Sequence, residues 1–165
     1  MRLAFFTVTA ALAAVAISCT SSSGGGPTCD DYQAPAGFDT AAPVVSFAND
    51  VMPIFGQSCA FSTCHGSSTG RANGVFLGKD AARVYSAIVD VRGDELQTMP
   101  FVKAGDPRAS YLMRKMDGSQ CALDAQCTGG SCQLSMPKMP KNESLLEVAQ
   151  RDIVRRWIVQ GAKQN

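Results

Sequence analysis

Histidine is almost absent from this chain: among 165 residues there is one, His65. That scarcity excludes chemistry needing two imidazoles. A zinc ion, which takes four ligands, would have to strip cysteines from elsewhere in the chain. Net charge is lacking too. The chain carries 15 Lys and Arg against 14 Asp and Glu, so no strong field steers it toward nucleic acid, and none is expected as a partner. Charged residues make up only 18% while glycine contributes 15 residues, which speaks against a charged helical rod and for a loop-rich compact domain. No stretch reads as a convincing β-strand.

Cysteine, in contrast, is plentiful. Seven in a chain of this length point to an oxidising compartment, provided the protein is exported. The N-terminus supplies the signal. A basic "MR" precedes the apolar run "LAFFTVTAALAAVAI", which has signal-peptide proportions and is short for a membrane span. The "AISC" that closes it resembles a bacterial lipoprotein lipobox, with Ala16 where Leu is usual and Ser18 where Gly or Ala is commoner. This resemblance implies that residues 1–18 are removed, that Cys19 is lipidated, and that the protein is exported to the cell envelope, on the periplasmic side, held at the membrane by its lipid. The other reading is an ordinary secretory signal; in both, the domain leaves the cytoplasm. The "TSSSGGGPT" that follows suits a flexible spacer, and residues 19–43 are expected to be linker.

Folded structure is expected over residues 44–163. In "VVSFANDVMPIFGQSC", Phe47, Val51, Ile54 and Phe55 share one helical face. Pro53 fits that helix if Asn49 or Asp50 caps it, which leaves the proline in the first turn. "KDAARVYSAIVD" predicts a second helix with Asp80 as N-cap and Ala81, Val84, Tyr85 and Ile88 on one side. "GDPRASYLMRKMDG" predicts a third, capped by Asp106, opened by Pro107 and closed by Gly118. Residues 119–142 read as irregular. The last helix is expected to start near Ser144 through a Ser-x-x-Glu147 capping box, to bury Leu145, Ala149, Ile153 and Trp157, and to end at Gly161. The fold class is therefore all-α, about four short helices joined by long loops. Such loops make sense when something large inside supplies the core they lack.

The stretch "SCAFSTCHG" names a candidate. Cys59 and Cys64 are separated by four residues and His65 follows directly. Two thiols that reach the two vinyl groups of a haem, with a histidine immediately after the second, form the attachment pattern of a c-type haem, here with a wider gap than the usual two residues. A Cys59–Cys64 disulfide competes with this reading; zinc and a catalytic Cys–His pair compete less well. With haem c as the one covalent cofactor, Cys29, Cys121, Cys127 and Cys132 remain, enough for two disulfides in any of three connectivities. Iron held by one histidine is either open or bound by a second ligand. Loop methionines before proline are the candidates: Met99, Met136 and Met139. Met52, Met113 and Met116 fall on predicted helices and read as core.

From about Val44 to Ala162 the chain resembles the small exported c-type cytochrome domains of bacteria. "FANDVMPIFGQSC…CHG", "VKAGDPRASYLMRKMDG" and "MP…LL…IVRRWIVQGA" carry the likeness in the family's order. It implies a cytochrome c-like fold around one haem, with the first and last helices crossing at Trp157. It further implies Cys59 and Cys64 as thioether anchors, His65 as proximal ligand and a Met-Pro shortly before the last helix as distal ligand. That position favours Met139, with Met136 the second choice. The departures are the four-residue gap and the segment "CALDAQCTGGSC", which reads as a disulfide-stapled insertion at about 119–135. The function implied is single-electron transfer with an unidentified redox partner protein. No substrate pocket is marked, so an electron carrier and not an enzyme is expected. A disulfide-stapled exported binding or structural lipoprotein without cofactor is the alternative.

Overall fold

The first helix begins at Ser46. Its Oγ accepts the Asn49 N–H at 3.2 Å, and the Asp50 carboxylate accepts the Ser46 N–H at 2.7 Å, so each end of the opening turn satisfies the other. In this computed structural model, which describes residues 29, 33–67, 75–128, 132 and 145–165, the opening turn Phe47–Val51 is π-helical and runs into α1, Met52–Ser58. The cap therefore lies earlier than Asn49 or Asp50. Both of those side chains are spent on Ser46, and the wide turn lets the chain reach Pro53 at the start of the regular α-helix, where its missing N–H costs least. Phe47, Val51, Ile54 and Phe55 are all buried.

The second helix, α2 (Ala81–Ile88), is capped by Asp80, whose carboxylate accepts the Arg83 N–H at 3.1 Å. Val84 and Ile88 are fully buried, with Ala81 and Tyr85 packed against the core. Residues 89–102 then loop out and return through two isolated bridges, Val89 with Val102 and Arg92 with Pro100. No strand forms among the described residues, and the architecture is all-α.

α3 spans Tyr111–Asp117, a turn later than Asp106 and Pro107 suggest. Asp106 caps a separate turn, its Oδ1 accepting from Arg108 N and Ala109 N at 3.0 Å each. Ser110 occupies the N-cap position with its hydroxyl engaged elsewhere, donating to Asp106 O at 2.7 Å and accepting from Lys103 N at 2.8 Å. Gly118 closes α3 with φ of 72°, and its N–H turns back on Arg114 O and Lys115 O. The Cys-rich segment read as irregular contains a 3-10 helix, Gln120–Gln126. Two disulfides join Cys29 to Cys121 and Cys127 to Cys132.

The last helix, α4, covers Val148–Val159, so it starts four residues after the expected cap. Leu145 to Glu147 approach it without helical structure, and Ser144 lies outside the described residues. Its buried face is also turned from the expected one. Val154, Trp157 and Ile158 are buried, Ala149 is exposed, and Leu145 and Ile153 are half-buried. The cause is polar. Arg151 and Arg155 point inward to the Asp117 carboxylate of α3, at 2.9 Å and 2.8 Å, and Asp152 pairs with Arg155 at 3.4 Å. Arg151, Asp152 and Arg155 thus take a face of α4 that apolar periodicity assigns to solvent.

The start of the first helix and the C-terminal residues meet over α4. The Phe47 ring stacks on Trp157 at 5.0 Å and meets Tyr85 edge-on at 5.6 Å. Trp157 Nε1 donates to Lys163 O at 2.8 Å, and Gly161, with φ of 96°, turns the last residues back. Contacts to the domain extend upstream of Val44, into the stretch read as linker: Arg156 donates to Asp39 O at 2.8 Å, and Gln160 donates to the carbonyls of Thr40, Ala41 and Pro43. Among the described residues no helix is long and apolar enough to cross a membrane.

Trp157 is fully buried at the meeting point of three elements. Trp157→Ala should lower stability by about 3–5 kcal/mol, as for other buried aromatics truncated to alanine. Chemical denaturation monitored by far-UV circular dichroism measures this, and an unchanged midpoint and slope would exclude the packing described.

Candidate functional site around Cys59, Cys64 and His65

The C-terminus of α1 delivers this loop. Phe55 O accepts from both Cys59 N (2.8 Å) and Ala60 N (2.9 Å), which ends the helix. The four-residue gap then folds on itself: Phe61 O accepts from Cys64 N and Gly66 N, each at 2.9 Å, and Cys59 O accepts from His65 N at 3.3 Å. The gap is thus taken up by a compact turn, with the Phe61 ring exposed outside. Gly66 is required where it stands, because a Cβ there would run into the Ala60 carbonyl.

His65 is buried, and residues 75–77 run alongside it. Its carbonyl accepts from Leu77 N at 2.8 Å, and its ring Nδ1 lies 3.1 Å from Val75 O. A carbonyl oxygen has no proton to give, so Nδ1 carries one and donates it. A neutral ring then leaves the Nε2 lone pair bare. Neutrality is favoured. Burial lowers the His65 pKa from its ordinary value, and the Lys115 charge adds to this against the opposing bond to Val75. Lys115 is itself buried and ion-paired with Glu95 at 3.2 Å, and Glu95 accepts the Tyr111 hydroxyl at 2.6 Å. Neither the Val75 carbonyl nor Lys115 was identified from the sequence. A main-chain oxygen has no residue signature, and a lysine on a charged-looking helix reads as solvated.

The two thiols are unbonded and half-buried. Burial, with a smaller contribution from neighbouring Cys64, pushes the Cys59 thiol up to about 12. Cys64 Sγ contacts the Thr63 hydroxyl at 3.8 Å. The structure thus brings Cys59, Cys64 and His65 into one loop without converging them on a point where they could share a metal ion; among the described residues no group of three His, Cys, Asp or Glu does so. The arrangement can offer one neutral imidazole to a metal, and two thiols to something other than that metal.

Of the candidate second ligands, Met99 is half-buried against the core beside the Arg92–Pro100 bridge. Met136 and Met139 lie outside the described residues, as does Cys19. Met113 and Met116 are buried in the core and Met52 packs against it. No protein-family model, curated protein or solved structure matches the chain.

The raised pKa of Cys59 is testable in the reduced, cofactor-free protein. At pH 8 a thiol with a pKa of about 12 is ionised to about one part in ten thousand. Iodoacetamide should therefore label Cys64 well before Cys59. Peptide mapping over time measures the order, and equal rates would contradict the burial of Cys59.

Proposed function

We propose that the protein carries single electrons through one covalently attached haem c, in a cytochrome c-like domain exported and anchored to the membrane by a lipid on Cys19. The observation that carries this reading is the pairing of two unbonded thiols with a buried, neutral histidine whose Nδ1 is tied to a backbone carbonyl. Histidines that bind metals characteristically donate their other ring nitrogen in this way, which fixes the tautomer and the ring plane. Cys59 and Cys64 would hold the haem through thioethers, so they need not point at the iron, in keeping with their failure to converge with His65. When bound, the haem supplies a one-electron iron couple.

The chain's own contributions follow from the site. The bond from Nδ1 to Val75 orients His65 toward the metal and raises its donor strength. Burial keeps the ring unprotonated. Met139 is the proposed distal ligand and Met136 the second choice, on the strength of their place before the last helix. A methionine there raises the potential. The crossing of the first and last helices at Phe47 and Trp157 agrees with the cytochrome c-like arrangement.

The alternative, a disulfide-stapled binding or structural lipoprotein, pairs Cys59 with Cys64. Both readings expect the other four cysteines to pair among themselves, as they do, and they differ in the fate of the two thiols that are unbonded here.

Purified protein should show a reduced c-type visible spectrum and keep its haem through denaturation. The Cys59→Ala/Cys64→Ala double variant should retain none. A colourless wild-type protein with a third disulfide would instead establish the alternative. The distal ligand has its own signature. Met139→Ala should lower the potential and abolish the weak far-red sulfur-to-iron band of the ferric protein, a band that Met136→Ala should leave in place. Loss of the band in Met136→Ala alone would transfer the role to that residue.

A further inference from the structure

Charged side chains seldom enter a core, and here a pair of them does. Lys115 of α3 and Glu95 of the loop after α2 keep only 10% and 8% of their side chains exposed. Lys115 Nζ lies 3.2 Å from Glu95 Oε2, and the same oxygen accepts the Tyr111 hydroxyl at 2.6 Å. Nζ also stands 5.1 Å from the centre of the buried Tyr111 ring, within the range of a cation–π contact. The second carboxylate oxygen, Oε1, is buried and receives no hydrogen bond among the described residues. Asp124, half-buried on the 3-10 helix, adds a further charge that acts on both Lys115 and Tyr111.

This arrangement does little for stability. Desolvation consumes most of the attraction within a buried pair, and apolar side chains of similar volume often serve as well or better. The bare Oε1 adds its own desolvation cost. Buried charges of this kind cluster at functional sites, and this pair adjoins the candidate one. At His65 it is the cation of the pair that registers: the Lys115 charge opposes protonation of the ring. The cationic end is therefore the end turned to the imidazole, with the Glu95 carboxylate behind it.

We infer that Lys115 raises the reduction potential of the iron held by His65, and that Glu95 and Tyr111 fix the position of its charge. This rests on the proposed haem reading. Reduction takes one electron from the redox partner and lowers the positive charge at the iron by one. A fixed cation nearby disfavours the ferric state more than the ferrous one, so it favours reduction. Burial makes the effect large, because interior charges are screened far less by water and salt than surface ones. Burial also lowers the Lys115 pKa, and the Glu95 charge opposes that, so the carboxylate keeps the ammonium protonated where it acts.

The two partners should then shift the potential in opposite directions. Lys115→Met removes the nearer charge, and the potential falls whether Glu95 stays ionised or takes up a proton. Glu95→Gln removes the counter-ion and leaves the ammonium, so the potential rises. Potentiometric titration of the full-length, haem-loaded protein at about pH 6, where the ammonium is retained, reads both. At a fixed applied potential the ferrous-to-ferric ratio should fall several-fold in Lys115→Met, stay near wild type in Lys115→Arg and rise in Glu95→Gln. The ferric spectrum of each variant checks that the iron ligands are unchanged. A merely structural pair would move both single variants the same way or neither of them. An unchanged ratio in Lys115→Met, an equal fall in Lys115→Arg, or a fall in Glu95→Gln overturns the inference. If Lys115→Met does not fold, Glu95→Gln decides alone: a rise supports the inference, and no shift or a fall refutes it. Wild-type protein isolated without haem refutes the haem reading and this inference with it, whereas haem-loaded variants with the wild-type potential refute the inference alone.

Discussion

The contact between Phe47 and Trp157 is the constraint on which the rest of this structure depends. It joins the first helix to the last, and the final residue completes it: Asn165 accepts the Phe47 N–H through its side chain and the Ala48 N–H through its backbone carbonyl, both at 2.9 Å. α1 continues from that junction, and the loop bearing Cys59, Cys64 and His65 hangs from the Phe55 carbonyl at its end. The placement of His65 therefore follows from a crossing made by residues more than a hundred positions apart. A stacked aromatic pair suits this role because it adds orientation to the area it buries.

Much of this was legible in the sequence, and the reasons are local. The face of Phe47, Val51, Ile54 and Phe55, the Asp80 cap and the Gly118 stop are rules of one or two turns, and nothing distant overrides them. The loop motif was legible because a lone histidine beside a cysteine is conspicuous. What escaped was decided elsewhere. Asp106 reads as the cap of the third helix, yet it caps a separate turn, and Ser110, at the N-cap position, is claimed by Lys103 across that turn. The rotation of α4 was misread because it answers to Asp117, a residue on another helix. The Val75 carbonyl, which sets the tautomer of His65, belongs to the backbone and carries no sequence signal.

Arginines on a buried face are unusual, and the Asp117 cluster holds two of them. Its carboxylate is about 5% exposed and accepts from both Arg151 and Arg155, and Arg155 also bonds Asp152. Buried ion pairs gain little net stability, because desolvation consumes most of the attraction, but removing one member strands the others. Such a cluster is better understood as fixing registry. The rotation of α4 that brings Arg151 and Arg155 to Asp117 is also the one that brings Trp157 onto Phe47. Apolar side chains alone would tolerate neighbouring registers at lower cost.

The two disulfides are unequal in consequence. On the loop-entropy account, bridging the 92-position separation of Cys29 and Cys121 restrains the unfolded chain by about 4–5 kcal/mol, while the 5-position Cys127–Cys132 bridge restrains it by about 2 kcal/mol. The larger effect falls where helical packing is least: among the described residues, 33–45 and 119–128 contain one short 3-10 helix between them. The staple thus compensates for the scarcity of packed helix there. A buried imidazole held neutral, with one nitrogen committed to a carbonyl, is stable only if its other nitrogen also finds a partner or the surrounding groups tolerate a bare lone pair. On the proposed haem-bound reading that partner would be the iron, and the two thiols left out of the disulfide framework would secure the group that carries it.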